Sequence, residues 1–533
     1  MDKSIFDLQN DFSPIDEASR VQSEIYGDCV LCESAGDFDL PDYLPEIRKL
    51  IRVSSKIIPA GRFVGGERAD FGGSILHTVV YTDPSGALAA TTLNSDYEVG
   101  VAIPKCEGDA VTASADSVID SVFCRLIGPR KLSIRAKVRN RIRMTCELQI
   151  PRKPEAAADL ELESLCSSEN AMKQFSAQSG EFSLTDVCHI DAPSAEEVKV
   201  LFSGAEVHVE SATAIPNGIS CRGSVWCRAL VCEGAIPYSV TKKIPFEELI
   251  PCGGALEGFA CSAYGVCTSL RVTPIASAVG GCDLAFDVAA EVFASVASNV
   301  AFSSVSDAFS VSKSTRIQHR RLSVGELCGC AMGNFSISGS TPREGEFESA
   351  SGVLDTDGRI KSSKVTAERG RMIVTGECSV SLILITPPTN ADAAVGYASL
   401  EYDLPFRCEL DAHAQIDPNA GFDCHIDFLG AKSRIDAESF STDAEICITV
   451  TAYKEKEISF AASLEEDGDS DAKTRDGGIC VYYPSDSDSL WSVAKKYGVS
   501  RASVAQTNGL PASSLESSDL HQSIDGLSCL IIE

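Results

Sequence analysis

Residues 74–81 read SILHTVVY, and the turn residues DPSG follow at 83–86. Apolar and polar side chains alternate along this stretch, and successive side chains of a strand point to opposite faces of a sheet. The pattern therefore predicts a half-buried β-strand that ends in a tight turn. A second strand follows the turn and leads to VAIP at 101–104.

The same strand and turn recur twice along the chain. The second copy is VWCRALVC at 225–232, with a glycine turn and then IPFEELIP at 244–251. The third copy is SVSLILI at 379–385, with a longer turn at 387–396 and then LPF at 404–406. Another pair of alternating segments closes each copy, and the copies are about 150 residues apart, which is the size of a domain. The chain is therefore predicted to be all-β, with three tandem β-sandwich-like domains.

Changes in composition predict where these domains are joined. Prolines, alanines, glutamates and serines after residue 150 predict a linker with one helix near 160–178, and a run of carboxylates from Glu465 to Asp471 predicts an acidic tether. The expected order is a first β repeat domain with an N-terminal extension at 1–150, a linker at 151–180, a second β repeat domain at 181–312, a third at 313–460, an acidic linker at 461–478 and a C-terminal module at 479–533.

The composition argues against some classes of function. The 533 residues contain 46 Lys and Arg against 76 Asp and Glu, so the formal net charge is −30. Nucleic-acid binders need clustered cations that neutralise phosphates, so no nucleic-acid partner is expected. The first ten residues lack the basic and apolar regions of a secretion signal, and the longest apolar runs are far shorter than a membrane span. We expect a cytoplasmic protein with no transmembrane segment.

The 22 cysteines predict buried thiols rather than a disulfide framework or a metal site. Several, such as Cys227, Cys378 and Cys447, lie inside strand-like apolar patterns, where cysteine acts as a small hydrophobic residue. One C-x-x-C begins at Cys29 and one C-x-C begins at Cys328, but none of the seven histidines has ligand spacing to either pair. We therefore expect free thiols, no metal and no cofactor.

The last part of the chain changes from the period of a strand to the period of a helix. A strand is predicted at 479–483, helices at 490–497 and 500–507, and a closing strand at 527–532. Ser485 to Ser489 offer oxygens that cap the first helix, and Gly498 ends it.

This strand–helix–helix–strand segment resembles a LysM domain through SDSLWSVAKKYGVS at 487–500 and NGL at 508–510. The resemblance implies a groove formed by the two loops beside the helices, which binds N-acetylglucosamine polymers or a protein. The groove residues that it implies are Asp486, Ser487, Asp488, Ser489, Asn508, Gly509 and Leu510.

The repeats are similar to DUF3794, a domain of unknown function, most closely through IPFEELIP at 244–251. Three such copies followed by a LysM domain resemble the SipL- and SpoVID-type spore coat and envelope assembly proteins of Firmicutes. This resemblance implies a non-enzymatic scaffold on the mother-cell side of the forespore surface, whose partner is a spore coat morphogenetic protein such as a coat-basement ATPase. The alternative is a cell-envelope protein that binds peptidoglycan or chitin-type glycan through the LysM groove.

Cations alternate with apolar residues between positions 131 and 144. A strand would place the cations on one face and the apolar residues on the other. We favour a solvated face whose cations pair with carboxylates of neighbouring strands. The alternative is a docking strand for an acidic partner or for a second copy of this acidic protein. The cations concerned are Lys131, Arg135, Lys137, Arg139, Arg141 and Arg143.

No motif of a catalytic site occurs in the sequence. It contains no G-x-x-x-x-G-K-[S/T] phosphate loop, no H-E-x-x-H zinc motif and no G-x-S-x-G nucleophile elbow. Trp491 at a helix start is predicted to belong to a core, and Trp226 in a strand is predicted to be packed or at an interface. We therefore expect a protein that acts by binding and is not an enzyme.

Overall fold

The computed structural model describes residues 18–106, 108, 110–157, 160–176, 179–234, 236–278, 280–388, 395–412, 414–467, 478–485, 488–510 and 529–533. Strands make up most of these residues, and the two α-helices among them are short, so the predicted all-β class is confirmed. None of the helices in these ranges has the length and hydropathy that crossing a membrane requires.

The first unit consists of two three-stranded antiparallel sheets. Its strands are β1 (Ala18–Asp39), β2 (Lys49–Gly65), β3 (Arg68–Thr82), β4 (Leu88–Ala102), β5 (Ala110–Gly128) and β6 (Lys131–Pro151). One sheet has the order β1-β6-β5 and the other has the order β2-β3-β4. Buried side chains from both sheets, such as Ile75, Tyr81, Leu132 and Val138, form the core between them.

The second unit repeats this plan with its first strand divided in two. Its strands are β7 (Leu162–Ser176), β8 (Gly180–Ile190), β9 (Val198–Ile215), β10 (Gly218–Glu233), β11 (Ile236–Pro251), β12 (Ala260–Ala276) and β13 (Cys282–Ser310). One sheet has the order β11-β10-β9. In the other sheet β13 is the central strand, and it pairs with β12 on one side and with both β7 and β8 on the other. Ile219 and Phe286 are fully buried between the two sheets.

Strand β7 corrects the prediction for residues 151–180. A linker with one helix near 160–178 was expected there, but Leu162–Ser176 form a strand that pairs antiparallel with the C-terminal half of β13. The buried apolar residues Leu165 and Ala171 share one face of a strand, whereas a helix would place them about 120° apart around its axis. Strand pairing prevails because β13 continues far beyond β8 and offers unpaired backbone groups that need hydrogen bonds.

The third unit has the same two sheets as the first. Its strands are β14 (Thr315–Pro342), β15 (Gly352–Glu368), β16 (Arg371–Thr386), β17 (Gly396–Leu410), β18 (Gly421–Ile435) and β19 (Ser439–Glu466). The sheet orders are β14-β19-β18 and β15-β16-β17. Because β19 continues to Glu466, the first residues of the predicted acidic linker at 461–478 belong to a strand. Residues 468–477 of that linker lie outside the described residues.

The three stretches with the alternating pattern occupy equivalent positions in the three units. Residues 74–81, 225–232 and 379–385 lie in β3, β10 and β16, each the central strand of a three-stranded meander. A central strand buries one face against the opposite sheet, which explains its alternating pattern. The connection between β15 and β16 is a two-residue turn in which Arg369 and Gly370 have φ values of 53° and 80°. Positive φ at both residues is typical of hairpin turns that match strand twist.

The three units meet around a common axis. Strand register makes Val80, Leu230 and Ile383 equivalent, and all three lie in one buried cluster. Ile150, Phe302 and Ile458 lie together in a second cluster, which joins the long strands of all three units. Equivalent residues of three similar units are brought together in this way when the units are arranged around a common axis.

The C-terminal module contains β20 (Cys480–Tyr482), α1 (Leu490–Tyr497), α2 (Arg501–Thr507) and β21 (Leu530–Ile532), and its two strands pair antiparallel. Both predicted helices are confirmed. The hydroxyl of Ser489 caps α1, and Gly498 ends α1 with a φ of 62°. Residues 527 and 528 of the predicted closing strand lie outside the described residues.

All 22 cysteines are free thiols. Burial raises the pKa of Cys221, Cys227 and Cys378 to about 12, which makes these thiols poor nucleophiles. Both tryptophans lie as predicted. Trp491 is 7% exposed in the core of the module, and Trp226 lies beside Gly430 of the third unit.

Candidate functional site

Buried charges from the three units meet on the common axis. Arg52 of β2, Phe202 of β9 and Asp355 of β15 are equivalent by register. Arg52 donates a hydrogen bond to Asp355, and its guanidinium lies 5.6 Å from the centre of the Phe202 ring. Arg228 of β10 adds ion pairs of 3.5 Å to Asp355 and 3.2 Å to Asp357. The first unit supplies a cation, the second supplies an aromatic ring and the third supplies an anion. Because the three groups differ, this set favours a single arrangement of the units around the axis.

A second set of equivalent residues consists of Asp116 of β5, Tyr264 of β12 and His425 of β18, each three residues before a bulge in its strand. The ring centres of His425 and Tyr264 are 4.5 Å apart. The His425 nitrogens lie 3.4 Å from Asp116 and 2.9 Å from Asp427. Burial on its own lowers the pKa of His425, but Asp427 and Asp116 outweigh it and hold this pKa well above its ordinary value. The two carboxylates therefore favour the protonated, cationic form of His425.

Residues of both sets line a cavity of about 1420 Å³ between the units. Lys56 of β2 and Glu206 of β9 pair across it at 2.8 Å, with 30% and 43% of their side-chain surfaces exposed. Among the residues that the structure describes, no three His, Cys, Asp or Glu side chains are arranged to hold a metal ion. The cavity therefore presents charges that are paired across the interface between units.

Sequence analysis does not identify these axial residues. Two of the charges directly follow an apolar pair, as Arg52 does in LIRV at 50–53 and Asp355 does in GVLDT at 352–356. A charge at a buried strand position needs a partner of opposite sign, so the pattern can signal an interior ion pair. One sequence alone does not tell which two residues are partners.

The predicted basic docking strand is β6, and five of its six cations have a carboxylate of the body at ion-pair distance. The contacts are closest for Arg139, Arg141 and Arg143. Arg139 donates to Asp120 of the neighbouring strand β5. Arg141 and Arg143 lie 3.6 Å and 3.8 Å from Asp423 of the third unit. These contacts favour structural pairing for this half of the strand.

The other three cations of β6, Lys131, Arg135 and Lys137, are exposed. The carboxylates nearest to Lys131 and Arg135, those of Asp37 and Glu33, are both 3.9 Å away. Within the described ranges, Lys137 has no carboxylate at ion-pair distance. This half of the strand can bind an anionic partner without breaking a short ion pair.

In the first loop of the predicted groove, Asp486 and Ser487 lie outside the described residues. Asp488 accepts hydrogen bonds from the Tyr482 hydroxyl at 2.7 Å and from the backbone of Ser485 at 2.8 Å. Ser489 caps α1. The described side chains of this loop therefore bind to the module itself.

The second loop of the predicted groove connects α2 to the last strand of the module. The Asn508 side chain accepts from the backbone of Ile531 and donates to it, both at 2.7 Å. Gly509 has a φ of 65°, and the Leu510 backbone donates to Ala505 at 2.9 Å. Asn508 thus holds β21 to α2.

The outer face of the module is apolar, and sequence analysis overlooked it. Ile479 and Tyr483 are 70% and 73% exposed, and Val481 between them is 50% exposed. Ile531 on the paired strand β21 is 38% exposed. The signal is the run ICVYY at 479–483, which has large apolar side chains on both faces of the strand, while only one face packs on the helices.

The module packs on the long strands of the second unit. The Trp491 indole donates to Asp307 of β13 at 2.9 Å, and the Lys495 ammonium lies 2.6 Å from both oxygens of that carboxylate. Arg501 pairs with Glu163 of β7 at 3.2 Å. A flexible acidic tether alone would leave the module free to move, but these contacts give it one orientation on the body.

We expect Asp307→Ala to weaken this attachment, because a carboxylate that accepts charge-assisted hydrogen bonds contributes about 1–2 kcal/mol at a partly exposed site. Trp491 should then become more exposed, so its fluorescence should shift to longer wavelength and strands β20 and β21 should exchange amide hydrogens faster. Asp443→Ala, which removes an exposed carboxylate of the third unit, is the control. Unchanged fluorescence and exchange in Asp307→Ala would show that the apolar contacts alone hold the module.

Comparison of the chain with protein-family models, with curated proteins and with solved structures found no significant match.

Proposed function

We propose that this chain is a non-enzymatic scaffold or adaptor of spore coat or envelope morphogenesis, which recruits a partner protein through its C-terminal module. In this proposal the three units are β-sandwich-like domains of the DUF3794 type, and the module is a LysM domain. The protein works in the mother-cell cytoplasm at the forespore surface. The observation that carries the proposal is the exposed apolar face of Ile479, Val481, Tyr483 and Ile531 on a module held in one orientation.

A protein partner fits this face better than a glycan does. Clustered exposed apolar side chains are typical of protein interfaces, whereas single ones are normal on any surface. Glycan hydroxyls need free polar groups, but the side chains of Asp488 and Asn508 already bond within the module. Attachment to the body also lowers the entropic cost of presenting the face, because its orientation is set before binding.

Glycan binding is the second candidate, and one observation favours it. Tyr483 is 73% exposed beside the first loop of the predicted groove, where an aromatic ring with a polar tip can contact a sugar. This candidate requires peptidoglycan or chitin as the ligand.

The test is to follow a fluorescent fusion of the full chain during sporulation and to compare Val481→Glu with the wild type. We expect the wild type to concentrate at the forespore and the variant to lose this localisation, because a charge on the apolar face disrupts a protein interface. Leu249→Glu is the matched control, since Leu249 is an apolar residue of β11 that is 65% exposed. The control should localise as the wild type does.

A pelleting assay of the full chain with peptidoglycan and with chitin separates the two candidates. We expect neither polymer to pellet the protein. Micromolar binding to either polymer, together with wild-type localisation of Val481→Glu, would contradict the proposal in favour of a glycan ligand.

A further inference from the structure

The outer face of the β1-β6-β5 sheet carries charges that its counterparts in the other units do not. Strands β5, β12 and β18 each have a bulge at the same place, and residues at the same distance from that bulge occupy equivalent positions in the three sheets. Arg135 corresponds to Asp287 and Asp443, and Lys137 corresponds to Ala289 and Glu445. The same sheet therefore forms with anionic or neutral residues at these positions, so the fold does not require cations there.

Large apolar side chains lie next to these cations. Phe123 of β5 is 64% exposed and is paired across the strands with Arg135. Leu31 of β1 is 61% exposed and is paired with Arg139.

The counterparts of these two apolar residues in the other units are polar. The counterparts of Phe123 are Arg271 and Lys432, and those of Leu31 are Glu181 and Asn334. Exposed apolar residues among cations thus distinguish the first unit from the other two.

We propose that the basic–apolar face, formed by Leu31, Phe123, Lys131, Arg135 and Lys137, docks an acidic protein segment that carries aromatic or aliphatic anchor residues. Carboxylates of the segment would pair with exposed cations whose nearest anions are 3.9 Å away, while its apolar residues would cover Phe123 and Leu31. This surface is separate from the module, so the inference goes beyond the recruiting function proposed above.

The charge of the whole chain selects among anionic partners. A chain with a net charge of −30 is repelled by extended polyanions such as nucleic acids and anionic membranes. A short segment avoids most of this repulsion because it contacts only the local cations, whose field extends about one Debye length. The exposed phenylalanine and leucine also suit a peptide better than a phosphate backbone.

The experiment measures binding of the full chain to a fluorescein-labelled acidic peptide, EEFEDFEE, by fluorescence anisotropy at low and at physiological salt. We expect Arg135→Glu with Lys137→Glu to weaken binding about tenfold or more, and Phe123→Ser to weaken it several-fold. The peptide EESEDSEE should bind more weakly than EEFEDFEE, and salt should weaken both. Arg371→Glu with Arg407→Glu, two exposed cations of the third unit, is the charge-matched control and should bind as the wild type does.

Several results would overturn the inference. The first is equal peptide binding by the wild type, the charge variant and Phe123→Ser. The second is binding of the chain to phosphatidylglycerol vesicles or to DNA without binding to the peptide. A dimer in sedimentation that the charge variant dissociates, without peptide binding, would assign the face to a second copy. Circular dichroism checks folding, and Lys137→Gln replaces the double variant if that variant unfolds. Val481→Glu changes the module and not the basic–apolar face, so this variant should bind the peptide normally. A failure of this inference can therefore be distinguished from a failure of the proposed function.

Discussion

Asp355→Ala should lower the free energy of unfolding of the body by about 3–5 kcal/mol, because it leaves a buried guanidinium without its carboxylate. The side chains of Arg52 and Asp355 are only 3% and 1% exposed, so loss of the carboxylate leaves a largely desolvated guanidinium. Arg228 keeps an ion pair with Asp357 at 3.2 Å, which leaves Arg52 as the group that loses most. Urea unfolding followed by far-ultraviolet circular dichroism measures the change.

Two further variants separate the buried pair from charge in general. Glu368→Ala removes one partner of an exposed ion pair with Arg407 and should have a much smaller effect. Arg52→Met combined with Asp355→Leu should recover most of the loss, since replacing both buried charges by apolar groups removes their desolvation cost. If Asp355→Ala is as stable as Glu368→Ala, the axial ion pair does not hold the units together.

His77 should make the protein less stable as the pH falls from about 6.5 to 4. Burial in the first unit lowers the pKa of His77 to about 4, and its neutral ring lies between the hydroxyls of Ser55 and Ser95, at 2.7 Å and 3.0 Å. Between these pH values the unfolded chain binds a proton that the folded protein does not, so stability decreases with falling pH. The gap from an ordinary value near 6.5 corresponds to about 3 kcal/mol when it is complete.

The variant His77→Gln isolates this contribution, because an amide can bond to both hydroxyls and does not titrate. We expect the difference in unfolding free energy between the wild type and His77→Gln, measured in urea at pH 7.5 and at pH 4.5, to shift in favour of the variant at the lower pH. His425 acts in the opposite direction: its raised pKa adds stability at low pH that is lost as the pH rises. A difference that stays constant with pH would mean that His77 becomes protonated in the folded protein without cost.

The strand pattern was sufficient to predict the main features of the chain. Alternation over 74–81, 225–232 and 379–385 predicted three like strands, and these strands are the centres of three meanders. The helical period of apolar residues predicted both helices of the module, and the capping residues Ser489 and Gly498 lie at the start and at the end of α1. These predictions succeeded because alternation, turns and caps depend on residues that are close in the chain.

The sequence by itself determined the all-β class, the threefold repetition and the helices of the module, since each is written in local periodicity. Only the tertiary structure decided that Leu162–Ser176 is a strand, because its partner β13 lies more than a hundred residues away along the chain. It also decided that five of the six cations in β6 have carboxylates of the body at ion-pair distance and that Asp307 binds the module. The ion pair of Arg52 with Asp355 shows the reason: its partners are 303 residues apart in the chain, and the strength of a buried charge pair depends on a geometry that no local pattern contains.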